Sequence, residues 1–167
     1  MTIPHRGWTS ESSYFVTTST WEKKNILQSE RMAGLLIDVL QNYRAQRKFL
    51  LHEFVIMPNH FHLLINPFEG TTLERAMQLI KGGFSFRAKK ELGIQGEIWQ
   101  TSFFDRRIRD AAEYQKYKDY IWQNPVAAGL VRSAQDFPFG SATGKFELDE
   151  VPQRLKPLTS SASSMQA

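Results

Sequence analysis

The 167-residue chain contains no cysteine. That excludes a disulfide framework, a thiolate-bound zinc or iron–sulfur centre, and a cysteine nucleophile. No apolar run approaches the roughly 18 residues that a membrane-spanning helix needs, so no membrane partner is expected. The first residues, Met1-Thr2-Ile3-Pro4-His5-Arg6-Gly7, hold no apolar signal core, and export by that route is not expected. Histidine is scarce, with only His5, His52, His60 and His62, and no internal repeat is visible.

What is present is ample apolar material. Hydrophobic residues make up 41% of the chain and aromatics 13%, enough for one real core rather than a disordered chain. The net charge of +4 is unevenly placed. Residues 71–132 carry 11 Lys/Arg against 7 Asp/Glu, while the segments on either side are nearly neutral. Lys81, Arg87, Lys89, Lys90, Arg106, Arg107 and Arg109 lie in that stretch. They form either a nucleic-acid footprint or a solvated pair of helices.

The periodicity predicts an order of elements. Residues 14–20 (YFVTTST) read as a β-branched and aromatic strand. Met32, Leu35, Leu36, Val39, Leu40 and Tyr43 form one apolar helical stripe after Ser29, ending near Gln46. Residues 49–57 and 60–66 read as two strands around the Pro58-Asn59 turn. Thr71 and Glu74 form a capping box for a second helix, which tolerates Gly82-Gly83 as a close approach or a weak point. Residues 98–108 read as a fourth strand. Asp110 and Glu113 cap a third helix that runs to about Gln123, before Asn124-Pro125. The order β-α-β-β-α-β-α predicts an α+β, ferredoxin-like fold with a four-stranded antiparallel sheet and an added C-terminal helix. The helices are expected to cover one face and leave the other open. Signals fade after Pro138; residues 1–145 are read as the domain and 146–167, Ser-rich at the end, as a poorly ordered tail.

Two constellations can carry chemistry. His60 and His62, at i and i+2 on a strand, share a face; they are either ligands to one divalent cation or two surface histidines. Tyr114, Tyr117 and Tyr120 drift around their helix, whereas Tyr120 and Asn124, at i and i+4, share a face. Tyr120 is thus a packing residue or an oxygen nucleophile, and Asn124 a helix cap or a ligand. Two imidazoles and an amide oxygen suit Mg²⁺ or Mn²⁺, the histidines favouring Mn²⁺.

Residues 55–65 (VIMPNHFHLLI) resemble the histidine strand of the single-tyrosine transposases, of the His-hydrophobe-His (HUH) superfamily. Residues 98–109 resemble their fourth-strand signature. Residues 117–131 (YKDYIWQNPVAAGLV) resemble the tyrosine helix of the REP-associated branch, and 137–142 (FPFGSA) the segment after it. The likeness covers about residues 10–142. It implies a metal-dependent enzyme that cuts and rejoins single-stranded DNA beside hairpins or repeats, leaving a 5′-phosphotyrosine and a free 3′-hydroxyl. By the same resemblance His60, His62 and Asn124 match metal-binding positions and Tyr120 the nucleophile. Trp99, Gln100 and Arg107 match recurrent positions taken as DNA contacts, with Trp99 either stacking a base or packing and Arg107 meeting either a phosphate or a partner carboxylate. A cytoplasmic, nucleoid-associated setting in a bacterium and a monomer or homodimer are expected. The alternative is a hairpin-binding protein without strand transfer, against which the intact set of four site residues argues.

Overall fold

The computed structural model describes residues 12–157; His5 and the Ser-rich end of the predicted tail lie outside them. Four strands, β1 (Tyr14–Ser19), β2 (Phe49–Met57), β3 (His60–Pro67) and β4 (Phe104–Arg107), form one sheet in the order β2-β3-β1-β4. Every neighbouring pair is antiparallel. With α1 (Glu30–Ala45), α2 (Leu73–Leu92) and α3 (Ala111–Ala127), this is the expected ferredoxin-like arrangement.

Helices α1 and α2 pack on one face, over Val16, Phe54, Phe61, Leu63 and Ile65. Ser29 caps α1 by accepting from the Met32 N–H. Gly83 lets the Tyr43 ring of α1 approach α2 closely, since a Cβ there would sit 3.0 Å from that ring. The predicted cap of α2 is displaced by one residue. Thr71 closes a turn by donating its N–H to the Phe68 carbonyl, with Gly70 at φ +87°, so Thr72 becomes the cap and accepts from the Arg75 N–H.

The other face is not open, which corrects the expectation. Helix α3 lies across it on a second core of Phe15, Val55, Met57, Leu64, Tyr114 and Ile121. The helix also runs past Asn124-Pro125. Pro125 has no N–H to offer the Ile121 carbonyl, yet it is buried beside Val55, Ala134 and Phe137, and tertiary packing outweighs the local penalty. The fourth strand is shorter than the predicted 98–108. Trp99 makes only an isolated bridge to Thr20, and the ladder begins at Phe104.

Residues 139–149, where the sequence signals faded, seal the free edge of β2. The Ile56 N–H donates to the Phe139 carbonyl (2.8 Å), and the Asp149 N–H to the Leu51 carbonyl (2.7 Å). Asp149 also accepts from Nε and Nη2 of Arg44, each at 3.0 Å. Beyond it Leu155 is fully buried in the second core. Packed structure therefore continues past 145, through the last described residues.

A register shift between Leu51 and Glu53 inserts His52 as a bulge. Upstream, Phe49 and Leu51 face α1 and α2; downstream, Phe54 and Ile56 do. The change of phase turns Glu53 toward α3. There its Oε1 accepts from the Trp122 indole N–H (2.7 Å) and the Ser141 hydroxyl (2.6 Å), with the Lys118 ammonium 3.9 Å from Oε2. Lys118 and Trp122, at i and i+4, pin one flank of α3 to β2.

Replacing Trp122 with Phe keeps the ring but leaves a buried carboxylate one donor short. We expect a loss of about 1–3 kcal/mol in urea-melt stability. A variant as stable as the parent would show that this contact does not hold the helix.

Candidate active site

The flank of α3 opposite the Glu53 pin carries Tyr120 and Asn124. Strand β3 presents His60 and His62 to the same place, while Phe61 and Leu63 point into the first core, as the i, i+2 rule requires. The rings of His60 and His62 are 4.8 Å apart between centroids. The Tyr120 ring stands edge-on to His62 at 5.2 Å, and the Asn124 side chain hydrogen-bonds to His60. Tyr120 remains 51% exposed, whereas Tyr114 is buried and Tyr117 stacks on Phe15 at 4.5 Å.

Both imidazoles are prepared as neutral bases. His60 Nδ1 lies 2.8 Å from Asn59 Oδ1, which can only accept, and the tautomer with its proton on Nδ1 leaves Nε2 as the nitrogen able to ligate. His62 Nδ1 lies 2.8 Å from the Thr17 hydroxyl. Its Nε2 is buried without a hydrogen-bond partner. The Thr17 hydroxyl can accept from an Nδ1–H, and that tautomer leaves Nε2 free to ligate a cation. Burial, and then the neighbouring His60, push the His62 pKa down to about 3. Burial also lowers His60, against the Asn124 hydrogen bond that raises it. Among the described residues no three His, Asp or Glu side chains converge, so a cation site here rests on two imidazoles and an amide.

The basic residues are divided. Lys81 is turned inward, its ammonium 2.9 Å from the Gln100 carbonyl and 3.5 Å from those of Thr101 and Ser102, and burial lowers its pKa. Arg87 pairs with Asp38 (2.6 Å) and Glu91 (2.7 Å) on the outer helical layer, and Lys89 and Lys90 are exposed on the same helix. These four do not join the histidines. Trp99 packs against Phe61 and Phe84 and donates its indole N–H to the Lys81 carbonyl, rather than offering a ring to solvent. Gln100 holds the Ser19 carbonyl through its backbone N–H. Arg106 on β4 and Arg109 just beyond it both pair with Glu113, at 3.0 and 3.2 Å. Glu113 also accepts from the Arg109 N–H, so half of the predicted capping box closes one residue early, while Asp110 caps Glu113 as expected. Arg107 is exposed and points to the other side of the sheet from Arg106.

Besides Asn59, two residues that the sequence did not single out lie on this face. Thr17 orients His62, and Phe104, directly across the ladder from Thr17, is a 57% exposed ring on the same face. Only the strand pairing reveals either.

The neutral His62 has a consequence for stability. Below pH 6.5 the unfolded chain protonates this imidazole, while the native state refuses the proton down to about pH 3. Its contribution is present above pH 6.5 and lost as pH falls, at up to about 1.4 kcal/mol per pH unit. The difference in unfolding free energy between wild type and H62Q should therefore shrink on acidification. The His62 ring resonance should stay unshifted from pH 8 to 5; titration near 6.5 would overturn the assignment.

Comparison with known proteins places the chain in a family. The family described as IS200-like transposase matches residues 9–124. A REP-associated tyrosine transposase of Escherichia coli (strain K12) is 27% identical over 148 residues, covering 81% of this chain and 87% of that protein. A putative REP-associated tyrosine transposase of Haemophilus influenzae is 26% identical, covering 81% and 82%. A solved REP-associated tyrosine transposase bound to a REP hairpin shares the fold, with a TM-score of 0.62 at 24% identity over 90% of each chain. The chain belongs to the IS200-like transposase family.

Proposed function

We propose that this protein is a divalent-metal-dependent endonuclease and strand transferase that cleaves and rejoins hairpin-associated single-stranded DNA through a 5′-phosphotyrosine. The observation that carries the reading is the meeting of α3 with β3, where Tyr120 stands against His62 and Asn124 bonds to His60. The relative solved on a REP hairpin supports the choice of substrate.

His60, His62 and Asn124 are the residues that would hold the cation, and the orphaned Nε2 of His62 fits that use. A bound Mg²⁺ or Mn²⁺ would draw charge from a non-bridging phosphate oxygen and so offset the charge that builds in the transition state. By accepting hydrogen bonds from Nδ1–H, Asn59 and Thr17 would keep the Nε2 lone pairs available. The Tyr120 hydroxyl attacks phosphorus and gives up its proton; the bond to the 3′-oxygen breaks, and that oxygen leaves protonated as a hydroxyl. The new tyrosyl ester keeps the DNA activated, so the reverse attack by a 3′-hydroxyl rejoins the strand. The tyrosine stands beside the histidines of its own chain, which favours their use together in one protomer.

A hairpin labelled at either end tests this. Wild type should carry the 3′-labelled fragment covalently and release the 5′-labelled one. Tyr120→Phe should lower adduct formation by about 10³-fold or more while still binding the hairpin. His60→Ala and His62→Ala should remove cation-dependent cleavage. Adduct on the Phe variant would dismiss Tyr120 as nucleophile. Turnover without protein-linked DNA would point to water, and binding without cleavage to a hairpin-binding protein.

A further inference from the structure

We infer that Phe104 is a stacking platform for one unpaired nucleobase beside the scissile phosphate, an assignment that rests on the DNA-cleaving reading above. The strand register sets its place. His62 on β3 pairs with Thr17 on β1, and Thr17 pairs with Phe104 on β4. Residues directly opposite in antiparallel strands project from the same face, so the three side chains form a row across the sheet. Two strand spacings separate the ends of the row, roughly 10 Å, a distance that a few nucleotides span.

The aromatic surroundings support the same use. Phe15, only 4% exposed, is the floor: His62 stacks on it at 5.3 Å and Tyr117 at 4.5 Å. Tyr120 and Phe104 both stand edge-on to that floor, at 5.9 and 6.4 Å. Among the described residues the exposed large hydrophobic side chains are Phe86, Phe104, Tyr120 and Leu130. Two of these four rise from one ring beside the histidines, whereas Phe86 is partnered by the Lys90 ammonium at 5.6 Å. An apolar ring on an exposed edge strand is a liability unless something covers it. Its neighbours Asp105, Arg106 and Arg107 are all charged and exposed, as such an edge ordinarily requires, so Phe104 is the exception within β4. A nucleobase suits the position because it offers a flat face to the ring while its phosphate stays in water near Arg106, on the same face two residues along.

The test measures binding rather than cleavage, with Tyr120→Phe protein and uncut hairpins carrying 2-aminopurine at each unpaired position in turn. One position should be quenched on binding, and the quenching should vanish with Phe104→Leu, which keeps apolar bulk without a ring. Phe104→Ala should weaken binding of the intact hairpin by about 5- to 150-fold. An abasic site at the quenched position should cost the parent a similar factor and the Ala variant nothing more, while Phe104→Trp restores both signals. Unchanged binding by the Ala variant, or losses from the two changes that simply multiply, would overturn the inference. The labelled-hairpin assay separates the two readings. Tyr120-dependent adduct with no effect at Phe104 dismisses the platform alone; a position-specific effect at Phe104 without adduct leaves the platform and dismisses the chemistry.

Discussion

The buried carboxylate of Glu53 is the contact on which the site geometry depends. It accepts from Trp122 on α3 and from Ser141 in the segment that seals β2, with Lys118 nearby. These contacts fix the roll of α3 about its axis. Lys118 and Trp122 lie on one flank of that helix, and Tyr120 and Asn124 on the other. A small rotation would carry Tyr120 off the histidines. The second core, with Ile121 and Tyr114 beneath the helix, holds it against the sheet but does not by itself choose the angle.

The chemistry that follows is one of neutral bases rather than charge. Burial keeps His62 unprotonated, and the Nδ1 atoms of both rings are engaged by Thr17 and Asn59. The cationic side chains contribute less to this site than their number suggests. Arg106 and Arg109 share Glu113, Arg87 is committed to Asp38 and Glu91, and Lys81 braces the loop before β4. Each has a structural task, so a cluster of positive charge in the sequence does not translate into one continuous DNA-facing surface.

Much of this was legible from the chain alone, because local rules carry it. The period-2 strand around His60 and His62, the helical stripe of α1 and the i, i+4 spacing of Tyr120 and Asn124 depend only on geometry that every strand or helix shares. The shifted cap at Thr72, the continuation of α3 through Pro125 and the late start of β4 were misread. At Pro125 and β4 a neighbour distant in the chain decided the outcome, the packing that buried Pro125 and a lysine that held the loop at 100–102, while at Thr72 it was a short turn that used Thr71.

The sequence by itself determined the order of the elements, the shared face of the two histidines and the shared face of the tyrosine and asparagine, since these follow from backbone periodicity. Only the tertiary structure decided that those two faces meet. A one-residue bulge at His52 reversed the phase of β2 and brought Glu53 under α3, and strand pairing set Thr17 and Phe104 beside His62. Bulges and cross-strand partners arise from contacts between residues far apart in the chain, and no local spacing encodes them.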